Sequence, residues 1–180
     1  MYQTRSGVAT LPLIECTSRR HDCWVLRYGC QKEADTEGRT GESYVYWAHD
    51  FGHKPTLAEI KQVIIEHINA EVDKQILSGF EWEDDNGEKS LVWLSEENQR
   101  NFSEAQRIAA SMPEAILPVV FKLGEDEDGQ PVYHEFTSSE ELTAFYMAAV
   151  AYINRCLAEG WQRKDSFDWT PYLTALNVER

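Results

Sequence analysis

Two periodicities alternate between residues 79 and 169, and that alternation restricts the fold of this chain more than any other feature. Phe80-Glu81-Trp82-Glu83 has the two-residue period of a half-buried strand. Asp84-Asp85-Asn86-Gly87 supplies an Asn-Gly turn, and Leu91-Val92-Trp93-Leu94 returns. Ser95 then opens a helix whose first turn carries Glu96 and Glu97, favourable beside the positive end of the helix dipole. Phe102, Ala105, Ile108, Ala109 and Met112 make its inner face, and Pro113 stops it. The plan recurs. Leu117-Pro118-Val119-Val120-Phe121-Lys122-Leu123 reads as a strand, residues 125–129 as an acidic turn, and Pro131-Val132-Tyr133-His134-Glu135-Phe136 as the return. Thr137 and Glu140 fit a capping box. The helix they open places Leu142, Phe145, Tyr146, Ala149, Ile153 and Leu157 on one face and is expected to end at Gly160.

A third such unit lies upstream. Thr56 and Glu59 form another capping box, and Leu57, Ile60, Ile64, Ile68, Val72 and Ile76 give the helix an apolar face as far as Leu77. Gly79 suits the left-handed position after its end. Cys23-Trp24-Val25-Leu26-Arg27-Tyr28 and Tyr44-Val45-Tyr46-Trp47-Ala48 read as paired strands, joined by a polar loop (residues 31–43) long enough to predict a mobile tip. The first fifteen residues, broken by Pro12, read as an arm. The three helix starts are alike because capping physics is alike, which is not a duplication.

The expected fold is therefore α+β, with antiparallel β-hairpins alternating with three amphipathic helices. The expected division is an N-terminal arm and hairpin over 1–54, then a helix plus hairpin-helix-hairpin-helix domain over 55–180. A chain of 180 residues buries about 70% of its extended surface without staples. The net charge of −14 repels phosphate backbones, so nucleic acid is not an expected partner. No apolar run reaches bilayer-crossing length, and Met1-Tyr2-Gln3-Thr4-Arg5 lacks the apolar core of a signal peptide. The four cysteines then point to a reduced setting.

No residue pattern supplies a catalytic, cofactor or metal site. Cys16, Cys23 and Cys30 with His21 are the sharpest metal-like group, but six residues separate successive cysteines, outside the short knuckles of zinc sites. They read as small apolar thiols in or near a sheet. Cys30 and His49 could meet across the first hairpin as nucleophile and base, yet no helix N-terminus or glycine-rich turn activates the thiol. The acids 125–128 lack the spacing of a calcium loop. No phosphate-cradling glycine loop is present, so no cofactor is expected. Aromatic strands read mainly as core. Trp161, Trp169 and Tyr172, which flank a polar tail outside the regular elements, are the candidate interface anchors.

Gly79-Phe80-Glu81-Trp82, Val92-Trp93-Leu94-Ser95-Glu96-Glu97-Asn98-Gln99, Leu117-Pro118-Val119-Val120-Phe121-Lys122, Tyr133-His134-Glu135-Phe136 and Tyr152-Ile153-Asn154-Arg155-Cys156-Leu157 together resemble a domain-of-unknown-function family of tailed phages and prophages, encoded near tail-fibre or baseplate genes. The resemblance covers residues 79–169. It implies a non-enzymatic structural or assembly protein of the tail or baseplate region, located in the virion or host cytoplasm. Its partners would be other phage structural proteins or further copies of itself. The alternative is a small acidic interaction protein that inhibits a host factor; an enzyme built on Cys30 and His49 is the third class.

Overall fold

A computed structural model describes residues 1–33, 43–126 and 128–177 of the chain. The tip of the first hairpin loop and one acid of the 125–129 turn lie outside the described residues. The elements run β1 (Tyr2–Ser6), β2 (Ile14–Ser18), β3 (Cys23–Lys32), β4 (Tyr44–Phe51), α1 (Leu57–Leu77), β5 (Phe80–Glu83), β6 (Lys89–Val92), α2 (Glu96–Ser111), a 3-10 turn (Pro113–Ala115), β7 (Val119–Glu125), β8 (Pro131–Phe136), α3 (Ser139–Asp165) and α4 (Thr170–Asn177). This is an α+β fold, as the periodicities require. It divides into two compact units, Met1–Asn69 with Arg163–Arg180, and Ala70–Gln162.

In the first unit an antiparallel sheet has the order β1-β4-β3-β2. The expected arm is in fact both edges of this sheet: Tyr2 registers with Ala48, and Ile14 with Leu26. Ala48 is remote from Tyr2, so no local signal marks β1, whereas β2 turns back into β3 through residues 19–22 alone. Ile14 and Leu26 pack with Ile60, Ile64 and Ile68 of α1. On the opposite face Val25, Tyr46 and Ala48 form a smaller cluster under Leu11. The α1 cap is the expected box: the Thr56 N–H donates to Glu59 Oε2 (2.7 Å), and the Glu59 N–H to Thr56 Oγ1 (3.3 Å). The Thr56 bonds, its backbone N–H first, and then His53 hold the Glu59 carboxyl down at about 2.

In the second unit β5 pairs with β6 and β7 with β8. The Trp93 N–H, donating to the Leu123 carbonyl (2.8 Å), ties one hairpin to the other. Both hairpin tips are organised by an aspartate. Asp84 Oδ1 accepts from the N–H groups of Asn86 and Glu88, and Asp126 Oδ1 from those of Asp128 and Gln130. The inner faces of the hairpins meet α2 and α3 around Trp82, Val92, Leu94, Phe102, Leu123, Phe136 and Phe145. Phe102, Phe136 and Phe145 are fully buried and lie within 5 Å of one another in successive pairs (4.9 and 4.8 Å between centroids). Edge-on and tilted contacts of this kind add to what burial supplies.

Three local expectations shift. The α3 cap is Ser138, not Thr137: the Glu141 N–H donates to Ser138 Oγ (3.1 Å), so the box sits one residue later. Met112 turns outward at 53% exposure, because α2 has already ended at Ser111. Gly160 does not end α3, which continues to Asp165. It is buried, and a Cβ there would stand 2.6 Å from Val72 Cγ2, so glycine is required by close helix approach and not by a turn.

Candidate functional site

Register assigns the outer face of the two hairpins in the second unit. Glu81 stands opposite Leu91, Glu83 opposite Lys89, Val120 opposite Glu135, and Lys122 opposite Tyr133. Directly opposed residues share a face, and alternate residues of one strand share it too. Leu91, Trp93, Lys122, Val120 and Tyr133 therefore lie on one surface, with Glu81 and Glu83 along one side and Glu135 along the other. Leu91 is 46% exposed, Val120 54% and Tyr133 62%. Residues of the other face (Val92, Leu123 and Phe136 among them) fill the core, so the outward set is surplus to it.

The centre of this face is ordered by packing. A Cβ on Gly124 would meet the Leu91 carbonyl oxygen at 2.5 Å and Trp93 Nε1 at 3.3 Å, so the missing side chain lets the indole lie close across β7. The Lys122 ammonium sits 5.3 Å from the Trp93 ring centroid and pairs with Glu125 Oε1 (3.1 Å). A cation over an indole is held there by the ring quadrupole. The result is an apolar and aromatic strip with a fixed cation and an acidic margin. Beneath it, on the inner side, His134 Nε2 contacts Glu141 Oε1 (2.7 Å), with the His134 ring edge-on to Trp82 (4.9 Å). Sequence reading passed over that pair, although its members lie only seven residues apart.

The three expected anchors are placed differently from one another. Trp161 is 57% exposed. Trp169 and Tyr172 are turned to the interior of the first unit. Trp169 packs on Phe167 (4.2 Å) under Lys61, and Tyr172, 5% exposed, donates its hydroxyl to the Arg27 carbonyl (3.2 Å). Burial raises the Tyr172 phenol to about 12. These two residues dock α4, whose start is capped by Asp168 Oδ1 accepting from the Thr170 N–H (2.9 Å). The signals that would have found the outer strip are Val120 and Tyr133, each an odd number of positions from the buried Leu123 and Phe136 and so on the opposite face.

The cysteine and histidine candidates do not converge. His49 registers with Leu26 and packs on Phe51 (4.7 Å), whereas Cys30 lies in the irregular stretch between Tyr28 and Gln31 and donates to the Ala9 carbonyl (3.4 Å). Cys23 donates to the His21 carbonyl (3.6 Å), Cys16 faces Trp24 across the ladder, and Cys156 is buried in the second unit. All four are free thiols. Among the described residues no three of His, Cys, Asp and Glu form a group that could hold a metal ion. No helix among them is long and apolar enough to cross a membrane. His67, also passed over in the sequence, is buried against Trp47 (4.4 Å) and Tyr28 (5.7 Å).

A capped α+β protein with an aromatic outer sheet face is the class that these observations define. The sequence profile of the family described as domain of unknown function (DUF4376) matches residues 59–176, and the chain belongs to that family. The match extends beyond residues 79–169 on both sides, taking in most of α1 and nearly all of α4. No curated protein and no solved structure matches the chain.

Proposed function

We propose that the protein is a non-enzymatic structural or assembly component of a tailed bacteriophage or prophage, acting through protein–protein contacts made by the outer hairpin face. One observation carries the contact role: Leu91, Val120 and Tyr133 stand exposed on a single surface around the ordered Trp93–Lys122 pair. Apolar and aromatic side chains grouped on one face, inside a polar margin, have the anatomy of a protein contact. Tyrosine and tryptophan are also the residues that most often dominate such contacts. Lys89, paired with Glu81 (2.7 Å) and near Glu83 (4.0 Å), offsets one of the three charges of Glu81, Glu83 and Glu135; the margin stays net acidic, which suits a partner surface apolar at its centre and basic at its edge. The phage setting rests on the resemblance of residues 79–169 alone.

The test is mass spectrometry of gradient-purified particles made with the intact chain and with Leu91→Asp/Tyr133→Asp. The intact chain is expected at stoichiometric level in particles or in assembly intermediates. The double variant should keep its melting temperature and lose incorporation. Absence of the intact chain from both fractions would refute the reading. Salt-sensitive capture of a basic host protein in its place would favour an acidic inhibitor.

A further inference from the structure

A groove of about 710 Å³ in the first unit runs along β2, lined by five consecutive residues from Pro12 to Cys16. It belongs wholly to the first unit and does not depend on the function proposed for the hairpin face. β2 is an edge strand of its sheet. The Arg27 N–H donates to the Leu13 carbonyl (2.7 Å), which makes Leu13 and Arg27 a bonded pair. In an antiparallel ladder bonded and non-bonded pairs alternate. Glu15 opposite Val25 is then the next bonded pair, while Ile14 and Cys16 direct their N–H and C=O groups away from β3. Each offers one donor and one acceptor at the groove. The register shift between Cys16 and Ser18 ends the regular edge, so any added strand is short.

The groove lining is mixed. Leu13 and, from α4, Ala175 are apolar members of it. At the Cys16 end stand Arg19 and Lys54, the latter 5.7 Å from the Trp24 ring centroid. Of the lining acids, Glu15 is paired, its Oε2 accepting from Arg27 Nη2 (2.7 Å), while Asp22 Oδ1 accepts from the neutral Trp24 Nε1 (2.8 Å) and keeps its charge. Neither Arg19 nor Lys54 has a carboxylate partner among the described residues. In a chain of net charge −14, two such cations against the single unneutralised acid Asp22 make the groove a local exception.

We infer that this edge binds an extended acidic peptide as an added strand. An apolar side chain of the peptide lies toward Leu13 and Ala175, and a carboxylate lies between Arg19 and Lys54. Main-chain pairing at an open edge, with pockets reading alternate side chains, is a general mode of peptide recognition. A nucleic acid meets the repulsion of the whole chain and has no use for alternating amide donors and acceptors.

The probe is a fluorescein-labelled hexapeptide of alternating valine and glutamate, titrated with the full chain by fluorescence anisotropy. Two further peptides carry N-methyl groups on the odd or on the even amides. Saturable binding is expected, with one methylation parity tolerated and the other abolishing it. The R19E/K54E variant should weaken binding at least about tenfold, and the amide resonances of Ile14 and Cys16 should shift. The inference is overturned by no saturation up to about 1 mM, or by equal binding of both methylated peptides. It is equally overturned by unchanged affinity in R19E/K54E, or by inorganic tripolyphosphate displacing the probe as well as unlabelled peptide does.

Discussion

Gly160→Ala tests the close approach of α3 to α1 by the sign of its effect. An exposed glycine inside a helix gains about 1 kcal/mol when changed to alanine. Here the added methyl would stand 2.6 Å from Val72 Cγ2, about 1 Å inside ordinary carbon–carbon contact. Val72 is buried, and a β-branched side chain in a helix has one strongly preferred rotamer, so it cannot swing clear. Overpacking of this kind costs about 1–3 kcal/mol. The single variant should therefore lose up to about 2 kcal/mol, the gain of propensity being subtracted from the clash. Val72→Ala removes the obstructing methyls, itself costing about 1–2 kcal/mol. In that background Gly160→Ala should stabilise by about 1 kcal/mol, as an unobstructed helix position does. The coupling energy from the cycle is then about 1–3 kcal/mol. Urea unfolding, followed in parallel by far-UV circular dichroism and tryptophan fluorescence, measures all four proteins. Stabilisation by Gly160→Ala alone, additive with Val72→Ala, would refute the packing argument.

Two predictions concern pH. The Tyr172 phenol titrates near 10.0 when unfolded and at about 12 in place, so its contribution is complete below pH 10 and is lost as pH rises toward 12. A shift of that size corresponds to about 2–3 kcal/mol. Tyr172→Phe should flatten the stability curve in this window, and an alkaline slope unchanged in the variant would count against burial of the phenol. Glu59 titrates at about 2 in place of 4.5, so the α1 cap is fully stabilising above pH 4.5 and fades as pH falls through 2. Amide exchange in the first turn of α1 should accelerate across that interval in the parent and show no such dependence in Glu59→Gln.

The features legible in the sequence are those whose cause lies within a few residues. The Thr56–Glu59 box, the Ser95 cap (Asn98 N–H to Ser95 Oγ, 3.2 Å) and the Asn86-Gly87 turn each close over four positions or fewer. β1 was hidden because its partner Ala48 is remote; β2 pairs with β3 across only four residues and was hidden behind Pro12, which suggested an arm. Gly160 had the composition of a helix terminator and the role of a contact, and only Val72 distinguishes the two. The candidate surface was hidden in a further way. Alternation separates Val120 and Lys122 from Val119 and Phe121, but it does not say which set is inside. Phe102 decides it by packing edge-on against Phe121 at 4.9 Å. Once Phe121, Phe136 and Phe145 fill the interior, Val120 and Tyr133 have no place in it. Their exposure follows from register, and the proposed contact surface rests on their grouping on one face.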